Sequence, residues 1–402
     1  MSKIHRNLCE PVIAALDEIF NRGRYADRVL ERILKEDKRR GARDRAFIAE
    51  NTYEIVRWRR LLAHCVGKES LTQFAPLDLW KLLGARLVLN GHEIPKWAEF
   101  AALDAAEVRK RRKSPKPRAV EQSIPDWLDQ RGERELREAW PQELAALNRP
   151  AALVVRCNLL KTSPEAVARC LREMDVPSRF DPRYPHALIL EKRVNLFTTD
   201  LFKNGLIEVQ DAASQEVSAF LDAAPGMRII DACAGAGGKS LHLSALTGNK
   251  GRIMALDTVE KRLDETRKRA ARAGADNIEA RLIESSKTIK RMEKSADRLL
   301  LDVPCSGLGV LRRNPDAKWK LSPEEIERVQ AVQRDILTKY PAMLKPGGVM
   351  VYATCSILPT EGEEQIAWFL QENSGYKLLA QKRLTVAGDG FDGFYMARLQ
   401  RV

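Results

Sequence analysis

The chain has only five histidines and seven cysteines in 402 residues, and it contains no Cys-x-x-Cys or closely paired histidine spacing. A structural zinc site draws its ligands from such pairs, so no metal is expected. An odd cysteine count without framework spacing also argues against a disulfide scaffold and suits a reducing compartment. Long apolar runs are missing: hydrophobic residues make up 44% of the chain, yet no window approaches the length of a membrane span. Residues 1–14 carry His5, Arg6, Asn7 and Glu10 and lack the apolar core of a secretory signal, so a cytoplasmic location is expected. Acid is in deficit. With 68 Lys+Arg against 55 Asp+Glu the net charge is +13 and the pI about 9.4, which points to a polyanionic partner such as a nucleic acid. A chain of this length should hold two or three domains, each able to bury a core, and a monomer is expected.

What is present centres on residues 227–240, MRIIDACAGAGGKS. An apolar β-type run passes through Asp231-Ala232-Cys233 into a turn bearing Gly235, Gly237 and Gly238, and a helical pattern follows. Strand, Gly-rich turn and helix is how a parallel α/β sheet brings backbone N–H groups to a cofactor. Two phosphate-binding readings fail on single residues. A P-loop needs glycine where Cys233 stands, and the dinucleotide fingerprint needs a third glycine where Ser240 stands. A nucleoside cofactor without a charged phosphate tail, such as S-adenosylmethionine, fits better.

Residues 1–103 read as successive amphipathic helices, with Val12, Ile13, Leu16, Ile19 and Phe20 setting the period. The basic stretch 38–45 is either a solvated loop or a phosphate-contacting patch. Residues 109–118, RKRRKSPKPR, hold seven basic residues in ten and two prolines, and self-repulsion predicts a linker or exposed arm. A small α+β module follows, with strands at 153–158 and 188–190 and a short helix at 196–204. From residue 205 strands alternate with helices. Strands are expected at 228–231, 252–257, 278–283, 299–302 and 348–354, and helices at 260–273, 323–343 and 361–373. Two late strands, 377–386 and 394–399, close the chain without a helix between them, which implies one reversed strand in a parallel sheet. The expected domains are 1–122 (helical, RNA-binding, with the basic linker), 123–208 (the module) and 209–402 (the cofactor-binding sheet).

Asp257 ends the second strand, about 20 residues after the Gly-rich turn, where an acidic residue accepts hydrogen bonds from ribose hydroxyls; its competing role is a helix cap. The fourth strand runs into Asp302-Val303-Pro304-Cys305-Ser306-Gly307 and the fifth into Thr354-Cys355-Ser356. Neighbouring strands lie roughly 5 Å apart, so two thiols should reach one rim of the sheet. Buried cysteines are usually packing residues, but a pair at adjacent strand ends suggests covalent catalysis. A thiolate adding to C6 of cytosine makes C5 nucleophilic towards a sulfonium methyl group. A carboxyl group such as Asp302 can hold the base.

Asp302–Gly307 with Arg312-Arg313-Asn314-Pro315-Asp316, and Tyr352-Ala353-Thr354-Cys355-Ser356, resemble the Sun/Nop family of RNA (cytosine-5)-methyltransferases, most closely its bacterial branch acting on small-subunit ribosomal RNA. Residues 209–215 and Asp392-Gly393-Phe394-Tyr395 add to the resemblance, which covers roughly residues 120–402. Residues 44–47 more loosely resemble an antitermination-factor-like RNA-binding domain. The resemblance implies a class I methyltransferase fold, α/β with a mostly parallel seven-stranded sheet, and S-adenosylmethionine as cofactor. It implies that Cys355 is the nucleophile and Cys305 assists product release, roles that spacing alone leaves open. It also implies that Cys233, Ala234, Gly235, Ala236, Gly237, Gly238, Lys239, Asp257 and Asp302 contact the cofactor or its surroundings. In place of the usual aspartate after the third strand stands Glu284, which is expected to face the adenine. The competing readings are a non-catalytic RNA-binding or ribosome-assembly factor, the same chemistry on transfer RNA, and a P-loop nucleotidase.

Overall fold

The computed structural model describes residues 4–402. They form two compact units, one made of the described residues up to Asn148 with Leu311–Pro323, the other of Arg149–Val310 with Glu324–Val402.

The first unit is helical, as the apolar periodicity predicts. Helices Arg6–Phe20, Ala26–Glu36, Ala42–Arg57, Arg59–Cys65 and Pro76–Leu89 bury Val12, Leu16, Ile48, Ile55, Leu82 and Leu83 in one core. Local chemistry starts them. Asp44 accepts the Gly41 N–H at 3.2 Å, and Asp78 accepts the Ala75 N–H at 3.0 Å ahead of Pro76. The stretch 109–118 departs from its expected form. Arg109–Lys113 is the end of helix Ala105–Lys113, and Arg118 opens another at Arg118–Glu121. Most of its charges are paired within the unit: Lys110 and Arg111 with Glu107, Arg112 and Lys116 with Glu121, and Arg118 with Asp129 and Glu133. Asp104 caps the helix start, and cations in the last turn suit the negative end of the helix dipole. Self-repulsion is thereby reduced, and the expected linker is confined to the short loop 114–117 between the two helices.

Residues 311–323 complete this unit. The Trp319 indole N–H donates to the Val56 carbonyl at 3.0 Å, and the Lys318 ammonium to the Arg57 carbonyl at 2.9 Å and to Asn148 at 3.1 Å. Asp316 accepts the Ala26 N–H at 3.1 Å.

The second unit holds two sheets. Strands β1 (Leu153–Cys157), β2 (Ser178–Phe180), β3 (Ala187–Leu190) and β4 (Ile207–Val209) form an antiparallel sheet in the order β2-β3-β1-β4. The sequence pattern missed β2 and β4, which have only three residues each. The helix expected at 196–204 is two single turns, Leu196–Thr198 and Asp200–Lys203, because the Thr199 hydroxyl caps the second by accepting the Phe202 N–H. The larger sheet comprises β5 (Arg228–Asp231), β6 (Arg252–Asp257), β7 (Ile278–Leu282), β8 (Ala296–Asp302), β9 (Leu344–Thr354), β10 (Tyr376–Leu384) and β11 (Phe394–Arg401), in the order β10-β11-β9-β8-β5-β6-β7. Strands β5 to β9 pair in parallel, and β11 is antiparallel to both β9 and β10. The expected reversed strand is therefore β11, and the architecture is that of class I methyltransferases. One core joins Val154 and Ile189 of the small sheet to Ile229, Ile253 and Val351 of the large one.

Candidate active site

The carboxyl ends of β5, β6, β8 and β9 lie along one rim, and every candidate residue except Glu284 ends or follows one of these four strands. After β5 the backbone turns through Gly235 (φ 56°) and Gly237 (φ 79°), both in the left-handed region. A Cβ on Gly237 would come within 2.6 Å of the Thr266 methyl group, so the position admits glycine alone. The turn's carbonyls are taken by side chains. Thr266 donates to Gly235 O at 3.1 Å, Arg269 to Ala236 O at 2.7 Å and Arg156 to Gly238 O at 2.6 Å. Arg156 comes from β1 of the small sheet, and Glu208 of β4 holds Arg269 at 3.0 Å. The small sheet thus braces the turn, and helix Gly238–Leu246 leaves from it with its first N–H groups facing the rim.

Asp257, at the end of β6, is 6% exposed. Its carboxylate accepts the Gly235 N–H at 2.9 Å and the Val259 N–H at 2.9 Å, so it ties the glycine turn to the next loop. Glu284 is exposed just beyond β7, beside Ile283, whose N–H reaches Asp257 O at 2.8 Å. Cys233 is pushed well above the ordinary thiol value by burial and by the charges of Asp231, Asp302 and Asp257. Three carboxylates therefore ring the turn. Asp231, fully buried and bonded by Ser240 at 2.6 Å, is raised by burial to about 7.

Lys239 projects from the helix start to Asp302 at 2.5 Å, with the Phe394 ring centroid 5.4 Å away. Burial alone would lower its pKa. Asp302, with Cys355 and Asp231 adding to it, outweighs burial and raises it, so the ammonium stays charged within electrostatic reach of Cys355.

Strands β8 and β9 pair directly, Asp302 opposite Ala353, and deliver the two thiols together. The Sγ atoms of Cys305 and Cys355 lie 3.3 Å apart, and both cysteines are free and half-buried. That separation is a hydrogen bond, far longer than a disulfide. The bond to Cys355, then burial, then the charges of Cys355 and Glu361 push Cys305 well above the ordinary thiol value. Either sulfur can donate the proton in this contact. Gly309 donates its N–H to Cys355 O at 2.9 Å and accepts that of Gly393 at 2.9 Å. A Cβ on Gly309 would fall 2.1 Å from Gly393 O, so this close approach of three chain segments requires glycine.

Residues 218–400 match the family described as 16S rRNA methyltransferase RsmB/F, and residues 124–196 match the ferredoxin-like domain of RsmF/B-like methyltransferases. The probable ribosomal RNA small subunit methyltransferase B of Synechocystis sp. is 32% identical over 400 residues, covering 90% of this chain and 88% of that one. The chain belongs to the RsmB/F family of ribosomal RNA methyltransferases. The ribosomal RNA small subunit methyltransferase B of Serratia proteamaculans is 32% identical over 68% of this chain and 66% of its own length. Among solved structures, a methyltransferase homolog protein from Pyrococcus horikoshii superimposes with a TM-score of 0.63 at 28% identity, over 71% of this chain and 98% of that one.

Within this family fold, the structure brings Cys233–Lys239, Asp257, Asp302, Cys305 and Cys355 to one rim and leaves Glu284 at its outer edge. Sequence reasoning overlooked Asp231, Arg156 and Glu361. Asp231 stood in plain sight, inside the apolar run that opens the glycine turn; the other two come from distant segments and carried no local signal. The pattern Arg312-Arg313-Asn314-Pro315-Asp316, which supported the resemblance, packs in the helical unit. Among the described residues no helix is long and apolar enough to cross a membrane, and no cluster of three His, Cys, Asp or Glu side chains could hold a metal.

Proposed function

We propose that this methyltransferase modifies C5 of cytosine in RNA, small-subunit ribosomal RNA first, with S-adenosylmethionine as methyl donor and Cys355 as covalent nucleophile. The observation that carries the reading is the pair of free thiols 3.3 Å apart at the ends of adjacent strands, beside the glycine turn. The turn suits a sulfonium nucleoside. The acidic side chains of Asp231, Asp257 and Asp302 surround it, Asp231 pushed towards its neutral form by burial, and its one lysine is already bonded to Asp302. A polyphosphate would meet repulsion there, whereas a cationic sulfonium would not. When bound, S-adenosylmethionine supplies the methyl group. The backbone of residues 233–239 would cradle it, Asp257 would accept from the ribose hydroxyls with its remaining lone pairs, and Glu284 would border the adenine.

The protein's own residues divide the remaining chemistry. Lys239 keeps its positive charge within electrostatic reach of Cys355, the kind of setting in which a cysteine nucleophile is used. The Cys355 thiolate adds to C6, forming the S–C6 bond and moving the C5–C6 π electrons to C5, which takes the methyl group. The Asp302 carboxylate accepts from the exocyclic amine. Cys305 then gives its proton to the departing Cys355 sulfur and, as a thiolate, takes the proton from C5. The S–C6 bond breaks and the aromatic pyrimidine is restored. Both thiols end protonated, and one proton returns to solvent when Cys355 is next ionised.

The test is methyl incorporation from labelled donor into small-subunit RNA, followed by bisulfite mapping. Cys355→Ala should abolish incorporation, and Cys305→Ala should accumulate an enzyme–RNA adduct that survives denaturing electrophoresis. Full turnover by Cys355→Ala would overturn the assignment. Incorporation into transfer RNA alone would move the same chemistry to another substrate.

A further inference from the structure

A carboxylate lies beneath the two thiols, and nothing in the chemistry above uses it. Glu361 is wholly buried, and among the described residues it forms no ion pair. Burying an unpaired carboxylate is costly unless every lone pair finds a donor. Here they do. Oε1 accepts the Ser306 N–H at 2.8 Å and the Gln333 side-chain amide at 3.1 Å, while Oε2 accepts both the Ser306 and Ser356 hydroxyls.

The donors are the notable part. Ser306 follows Cys305 and Ser356 follows Cys355, and the two hydroxyl oxygens are 3.2 Å apart. Gln333 donates in addition to the carbonyl of Pro304, the residue before Cys305, at 2.9 Å. The Glu361 backbone is held in turn, its carbonyl accepting the Tyr352 hydroxyl at 2.9 Å. The sequence pattern placed residue 361 at the start of a helix. Instead it ends the turn Pro359–Glu361, and Gly362 separates it from helix Glu363–Glu372, which lets the side chain point inward.

We infer that Glu361 is a positioning residue that locks the Cys305 and Cys355 loops in register for release of the methylated product. The inference rests on the cysteine roles proposed above. Cys355 can attack a base from its strand end alone, but proton transfer to it needs Cys305 within hydrogen-bond reach. A shift of about 1 Å between the loops would cost release on the order of a hundredfold. Gln can replace Glu at this site. Its carbonyl oxygen would face the Ser306 N–H and Gln333, and its amide would donate to two hydroxyl oxygens that simply reverse their bonds. Ala cannot.

The experiment uses the full chain with small-subunit ribosomal RNA and labelled methyl donor. It measures first-turnover methyl transfer, steady-state turnover and denaturation-resistant adduct, each normalised to the folded fraction from thermal melting. Glu361→Ala should lose turnover about a hundredfold, lose far less in the first turnover and accumulate adduct, while Glu361→Gln stays within about tenfold of the parent and accumulates none. If Glu361→Ala does not fold, Ser306→Ala with Ser356→Ala removes the two hydroxyl donors from Oε2 and should trap adduct in the same way. Parallel loss of both rates without adduct in whichever of these variants folds, or equal behaviour of the Ala and Gln variants, would overturn the inference. Cys305→Ala separates the two levels. If it traps adduct while the Glu361 and serine variants do not, only this inference falls; if it does not trap adduct, the underlying reading of the cysteines falls first.

Discussion

Lys318 in the helical unit and Lys239 in the sheet unit are both buried lysines, yet their environments pull in opposite directions. Lys318 meets only neutral acceptors, the Arg57 carbonyl and the Asn148 side chain, and burial drives its pKa well below the ordinary lysine value. Lys239 meets Asp302, and its pKa is raised despite burial. The first lysine ties residues 311–323 to the C-terminal end of a helix. The second holds a positive charge within electrostatic reach of a thiol that follows a strand end. Burial by itself does not mark a functional lysine; the carboxylate partner does.

The comparison breaks most severely if Lys239 proves dispensable. Lys239→Met should reduce methyl transfer by about a hundredfold, since it removes the cation facing Cys355 and leaves Asp302 unpaired; steady-state kinetics at saturating donor would check this. A smaller effect sharpens it through pH. Asp231 has its pKa raised to about 7 by burial, so between pH 4 and 7 the folded chain holds a proton that the unfolded chain has released. Stability must therefore fall as pH rises through that window, by a total on the order of a few kcal/mol. Denaturant titrations of Asp231→Asn should lose this slope. Lys318 carries the opposite sign. Its folded pKa is depressed, so the unfolded chain binds the extra proton and stability rises with pH from the folded value up to the ordinary lysine range. Lys318→Met should flatten that alkaline rise while changing stability at pH 7 by only about 1 kcal/mol, because loss of the buried charge offsets two lost hydrogen bonds. It should leave the kinetics of methyl transfer unaffected.

The sheet unit was legible because its strands and helices alternate in type. The Gly-rich turn, the reversed strand β11 and the neighbouring cysteines all followed from local pattern plus the parallel-sheet rule. The basic stretch 109–118 was read as linker where only 114–117 is one, since charge content cannot reveal that Glu107, Glu121, Asp129 and Glu133 stand ready to pair with most of it. Strands β2 and β4 escaped because three residues carry no detectable period. Asp257 illustrates a middle case. Its place beside the glycine turn was foreseen, but not that its carboxylate would brace the turn itself.

The sequence by itself determined the order of strands and helices, the glycines at which the backbone enters the left-handed region, and the two strand ends that carry thiols. These depend on side-chain period and on conformational freedom, which neighbouring residues settle among themselves. Only the tertiary structure decided which groups are charged and what they hold. Glu361 joins loops 50 residues apart, Arg156 reaches across 82 residues to a carbonyl, and Lys239 finds Asp302 across 63. Desolvation and Coulomb attraction depend on distance in space, and a linear chain does not contain that distance until it has folded.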